Sequence, residues 1–122
     1  MRPLNVSIAA IALIASAGVA QAHPKLVSAN PAANTAVAAP GKISLTFSEK
    51  LVPAFSKAEL TMSAMPGMAA MQMASSAAVA PDGRTLIITP KSRLARGKYV
   101  VTWHVVSGDT HKIAGNYTFA VK

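Results

Sequence analysis

Residues 98–106 read Lys98-Tyr-Val-Val-Thr-Trp-His-Val-Val106, and their alternation decides the fold. Tyr99, Val101, Trp103 and Val105 share one face, while His104 falls between Trp103 and Val105 and faces the other way, as a surface residue of a strand does. A period of two over this length marks a half-buried β-strand. The same signature recurs outward. In 42–48, Ile43, Leu45 and Phe47 line one side and Ser44 and Thr46 the other; in 116–121, Tyr117, Phe119 and Val121 point inward. Residues 84–89 form a compact apolar strand and 58–62 a weaker one. The Ala-rich stretch 69–80 has the composition of a helix, but its flanks predict a loop running into a strand. Turn residues stand between these segments at Asn30-Pro31, Pro40-Gly41, Pro66-Gly67, Pro81-Asp82-Gly83, Gly97 and Gly108. Strands at this spacing predict a single all-β domain, a sandwich or Greek-key barrel. There is no internal repeat and no sign of a second domain.

Upstream of these strands, residues 1–22 read as a cleaved secretory signal peptide: Arg2 at the start, an apolar run over 8–20, and Ala20-Gln21-Ala22 as the cleavage site. The run is too short for a spanning helix. Cleavage leaves 23–122, about 100 residues and enough for one core, in a mature protein expected in a bacterial periplasm. The chain has no cysteine, so its stability has to come from packing and hydrogen bonds rather than disulfides. It carries 12 Lys and Arg against 4 Asp and Glu. The cations are spread from Lys25 to Lys122 with no run and no interleaved aromatics, and the densest group is Lys91, Arg93, Arg96 and Lys98. That spread, together with export, argues against nucleic acid and suits a weak attraction to anionic membrane surfaces or an acidic partner.

Cleavage after Ala22 makes His23 the first residue and sets a free α-amine beside an imidazole. Those two nitrogens chelate one metal ion, and Pro24 has no amide N–H to deprotonate, so other groups must complete the site. Asp109-Thr-His111 follows the strongest strand after Ser107-Gly108. In extended backbone, residues two apart point the same way, so Asp109 and His111 converge on one side. With His23 they supply three nitrogens and one oxygen, a set that suits Cu(II). Glu49 is a further candidate carboxylate, as ligand or as an orienting group. The alternative makes His23 an accident of cleavage and 109–111 an ordinary turn.

A second constellation runs from Met62 through Met65, Met68 and Met71 to Met73, and holds every methionine beyond Met1. Thioethers are soft, neutral ligands that select Cu(I) and persist where thiols would oxidise. Steps of three also describe a core-facing stripe of a helix, but Pro66-Gly67 interrupts it.

His23-Pro-Lys-Leu-Val27, Phe47-Ser-Glu49, Met65-Pro-Gly-Met68, Val105-Val-Ser-Gly-Asp-Thr-His111 and the segment 115–119 resemble, in order, the periplasmic copper-resistance CopC family. The resemblance covers essentially the whole of 23–122. It implies a Greek-key β-barrel of cupredoxin or immunoglobulin-like type with two copper sites at opposite ends. It implies Cu(II) on His23, Asp109 and His111, with Glu49 nearby, and Cu(I) on Met62, Met65, Met68 and Met73. Some members carry a histidine inside the methionine loop; here Ala69-Ala70 stands there, with Met71 as the replacement donor. The family is associated with copper resistance or uptake, beside an inner-membrane partner of the CopD type or other periplasmic copper proteins. The expected role is a carrier or buffer without a catalytic step, as a monomer or a copper-linked dimer. Two other classes are a histidine-brace copper monooxygenase, for which about 100 residues leave little substrate surface, and a structural β-sandwich with no metal role.

Overall fold

The computed structural model describes residues 25–122. The expected cleavage at Ala22 and the chelate on His23 fall outside these residues. Nine strands follow in chain order: β1 Leu26–Asn30, β2 Ala36–Val37, β3 Ile43–Phe47, β4 Lys57–Met62, β5 Met71–Met73, β6 Ser75–Val79, β7 Thr85–Pro90, β8 Gly97–Val106 and β9 Lys112–Val121. They build two sheets, one ordered β1-β3-β7-β6 and the other β2-β9-β8-β4-β5. All pairings are antiparallel except β2 with β9. Within the described residues the domain is therefore a sandwich.

The inward faces are those the alternation predicts. Ile43, Leu45 and Phe47 from β3, and Tyr99, Val101, Trp103 and Val105 from β8, are buried between the sheets with Tyr117, Phe119 and Val121 from β9. The aromatic rings form a connected line. Tyr99 stacks on Phe119 at 5.6 Å, Tyr117 lies 6.3 Å from Phe119, Trp103 lies 6.2 Å from Tyr117, and Phe47 meets Trp103 edge-on at 6.2 Å. Such pairs add to the free energy of area burial. Gly115 faces Trp103 across the β8–β9 ladder. A Cβ there would stand 2.4 Å from the indole ring, so the indole occupies the space that only glycine leaves.

Two features position the ends of the sandwich. The segment after β3 is fastened to neighbours by backbone bonds: Ser48 N–H to the Lys25 carbonyl at 2.8 Å, Leu51 N–H to Gly83 at 2.7 Å and Val52 N–H to Val106 at 2.7 Å. At the other end, β4 and β5 form a hairpin in which Met62 faces Met71 and Leu60 faces Met73. The stretch 69–80 is thus strand at both β5 and β6, with Ala74 passing the chain from one sheet to the other.

Candidate metal centre

β8 and β9 are joined by residues 107–111, which fold back on themselves. Ser107 N–H donates to the His111 carbonyl at 3.0 Å, and Thr110 N–H to the Ser107 carbonyl at 2.9 Å. Thr110 takes a left-handed φ of 69° to close the turn. Within it the Ser107 side chain, 2% exposed, donates its hydroxyl to Oδ1 of Asp109. Oδ2 of the same carboxylate meets Nδ1 of His111 at 2.8 Å. Both partners remain accessible, His111 by 38% and Asp109 by 48% of the side chain. The Ser107 hydroxyl first, and then the imidazole, hold the Asp109 carboxyl down to about 2. Asp109 is therefore an anion at any physiological pH, held in one orientation by a buried donor.

Asp109 and His111 are thus brought together, as their spacing predicts, but in contact with each other rather than side by side. A carboxylate on one ring nitrogen is the arrangement that fixes the tautomer of a metal-binding histidine. Ser107, in the sequence only a turn residue, is the group that fixes the carboxylate. Its signal was the serine two positions before an aspartate, too common a pattern to single out.

Glu49 sits between two fastenings. On one side the Lys25 N–H donates to Ser48 Oγ at 2.9 Å; on the other, Gly108 N–H donates to the Lys50 carbonyl at 3.2 Å. Glu49 therefore lies on the strip of chain linking Lys25 to the 107–111 loop, and is half-buried. Even so, among the described residues no three of His, Asp and Glu gather closely enough to cage a metal. Asp109 and His111 are a pair, and Glu49 does not make them a trio.

The methionines divide. Met65 and Met68 exchange both backbone hydrogen bonds, at 3.0 and 2.8 Å, across a turn with Pro66 at its second position and Gly67 at φ 81°, the requirements of a type II turn. Residues so paired have Cβ atoms about 5 Å apart on one face, which sets two thioethers side by side at the hairpin tip. Both are exposed, as is Met71 at 50%. Met73 is half-buried and packs on the core. Met62 differs: it is 9% exposed and belongs to the core cluster. Its methyl group lies 2.7 Å from where a Cβ on Gly97 would stand. Met62 faces inward because β4 alternates, with Leu60 and Met62 on the buried side. Met62 alone of the methionine run is therefore a core residue, placed there by the alternation of a strand rather than by the stripe of a helix.

The two groups lie at opposite ends of one strand. Met62 pairs with Tyr99 near the start of β8, and the 107–111 loop follows its last residue. Eight steps of extended chain separate them, about 26 Å. One ion cannot bridge donors that far apart.

Comparison with known proteins agrees with this architecture. The CopC domain model matches residues 26–122. The chain is 53% identical over 119 residues to copper resistance protein C of Pseudomonas syringae pv. tomato, covering 96% of this chain and 94% of that protein. The crystal structure of PcoC, a methionine-rich copper resistance protein from Escherichia coli, superposes with a TM-score of 0.77 at 50% identity, over 83% of this chain and all of that one. CopC from Methylosinus trichosporium OB3b gives 0.72 at 34% identity, over 82% and 94%. A matched domain of this extent and relatives this similar decide the assignment: the chain belongs to the CopC family.

Proposed function

We propose that this chain is a periplasmic copper carrier or buffer serving copper resistance, with Cu(II) and Cu(I) held at separate ends. Its relatives bear the name of copper resistance proteins, and the donor types at the two ends suit the two oxidation states. The observation that carries the Cu(II) reading is the Asp109–His111 contact at 2.8 Å, fixed by Ser107. With both residues as ligands, the ion takes the place of the Nδ1–carboxylate contact, entering between His111 Nδ1 and the Asp109 carboxylate, whose 2.8 Å separation suits two neighbouring donors of one ion. A pair of donors is too few for a tight site, and the missing nitrogens come from His23 after cleavage at Ala22. His23 precedes Lys25 by two residues, a reach of at most about 7 Å, and Lys25 is bonded to Ser48 beside Glu49. Glu49 acts near the ion rather than as a principal ligand.

The Cu(I) site is the hairpin tip. Met65 and Met68 supply the first two thioethers and Met71 the third, with Met73 adjacent; Met62 supports the hairpin from the core. When an external one-electron donor reduces the ion it leaves the nitrogen and oxygen donors, and when an external acceptor oxidises it the ion leaves sulfur, so transfer to a CopD-type or other periplasmic partner needs no catalytic step on this chain.

Competition against chelators of known affinity tests this reading. The chain beginning at His23 should retain one equivalent of Cu(II) and, under a reductant, one of Cu(I). His111→Ala should lose only the first and the double variant Met65→Leu, Met68→Leu only the second. Retention of neither ion, or loss of both from one variant, contradicts it.

A further inference from the structure

An open groove of about 600 Å³ lies on the outer face of the five-stranded sheet, and nothing in the copper chemistry uses it. Its walls come from β4, β8 and β9 together with the short 3-10 turn Pro53–Phe55. Lys57 pairs with His104, and Lys112 with Val106. The two lysines therefore stand on the strands flanking β8, offset by two residues along it and about 12 Å apart, with His104 on the strand between them. At the rim stands Phe55, 66% exposed. An aromatic ring that exposed beside an apolar groove has the character of an interface anchor rather than of a stray surface residue. No acidic residue lines the groove. Its wall is completed by Thr110, the residue between Asp109 and His111.

We infer that this groove docks an acidic segment of a partner protein, with an apolar side chain against Phe55 and Val106 and carboxylates on Lys57, Lys112 and His104. Charge complementarity selects the occupant. A second copy of the chain brings a formal net charge of +8 against another +8, which repels. A bilayer is a broad surface that would engage the scattered cations together, whereas this groove is concave and confines two lysines to its edges. A partner seated here touches the Asp109–His111 loop through Thr110, at the place where an ion would be handed over. The docking itself does not depend on copper, so its test can fail while the copper reading stands.

The test is an NMR titration of the exported chain without added metal, using three probes: a short peptide alternating glutamates with leucine and phenylalanine, the same peptide with lysines for glutamates, and vesicles of phosphatidylglycerol with phosphatidylcholine. The acidic peptide should shift the amides around residues 55–57, 104–106 and 110–114, and the basic peptide should not. The charge reversals Lys57→Glu and Lys112→Glu together, and separately Phe55→Ala, should each weaken the acidic peptide by about tenfold or more, with the fold unchanged because all three residues are exposed. Shifts spread over the whole basic surface, affinity unaltered in these variants, no binding of the acidic peptide, or vesicles displacing it from the same residues would overturn the proposal.

Discussion

The buried hydroxyl of Ser107 donates to Asp109 and so fixes the carboxylate that holds the imidazole of His111. The loop is thus organised by its own serine, a residue outside the proposed ligand set. Replacing Ser107 with alanine removes the first cause of the lowered Asp109 pKa. The Asp109 carboxyl, observed by carbon NMR, should then titrate above its present value of about 2, moving toward 3.8. Cu(II) affinity should drop by about 10- to 100-fold, the usual cost of losing an outer-shell partner. Unchanged affinity would mean that the orientation of the carboxylate is immaterial.

The same shift sets a pH window for stability. A carboxyl whose folded pKa is lowered contributes stability that is complete above its unfolded value and lost as pH falls through its folded one. For Asp109 that window runs from 3.8 down to about 2. Denaturant midpoints of the parent chain and Ser107→Ala should therefore differ by a constant amount above the window and converge within it. Asp82 has a lowered pKa too, held down by Thr85 and Arg84, but it is common to both chains and leaves the difference intact.

Metal release should follow different rules at the two ends. Asp109 stays ionised through the mildly acidic range, so on the proposed ligand set acid should remove Cu(II) by protonating nitrogen donors. From pH 7 to 5, Cu(II) affinity should fall by at least about tenfold. Cu(I) affinity should change by less than about threefold, since thioethers do not titrate. Chelator competition across that range distinguishes the two, and a steep Cu(I) dependence would reveal a different donor.

Met62 and the hairpin tip provide a test of core against ligand. Met62→Ala should cost about 2–5 kcal/mol by leaving a cavity in the core, while Met62→Leu should cost under about 1.5 kcal/mol and leave Cu(I) binding in place. The pair Met65→Leu and Met68→Leu should show the reverse, with unchanged urea midpoints and no Cu(I) bound. Gly115→Ala should destabilise the fold by about 1–3 kcal/mol through overlap with the Trp103 ring, readable in indole fluorescence.

Legibility in the sequence followed the strength of local pattern. The strands β3, β7, β8 and β9 could be read because buried branched or aromatic side chains repeat along them. β2 could not, having two residues and resting on its parallel pairing with β9. β5 and β6 lie at sheet edges, and their small or exposed side chains carry little alternation. The Asp109–His111 juxtaposition was visible in its i, i+2 spacing, but the contact between them depends on Ser107 and the turn at Thr110. For methionine the difficulty is chemical: one side chain serves equally as core filler and as soft ligand, so only the strand register separates Met62 from Met65 and Met68.

On the proposed copper chemistry, His23, once first in the chain, joins Asp109 and His111 around Cu(II). The decisive experiment compares the chain that begins at His23 with one extended by a single alanine, by competition for Cu(II) and, with reductant, for Cu(I). The extension should weaken Cu(II) binding by orders of magnitude and leave Cu(I) binding unaltered. Equal Cu(II) affinity in the two chains would contradict it.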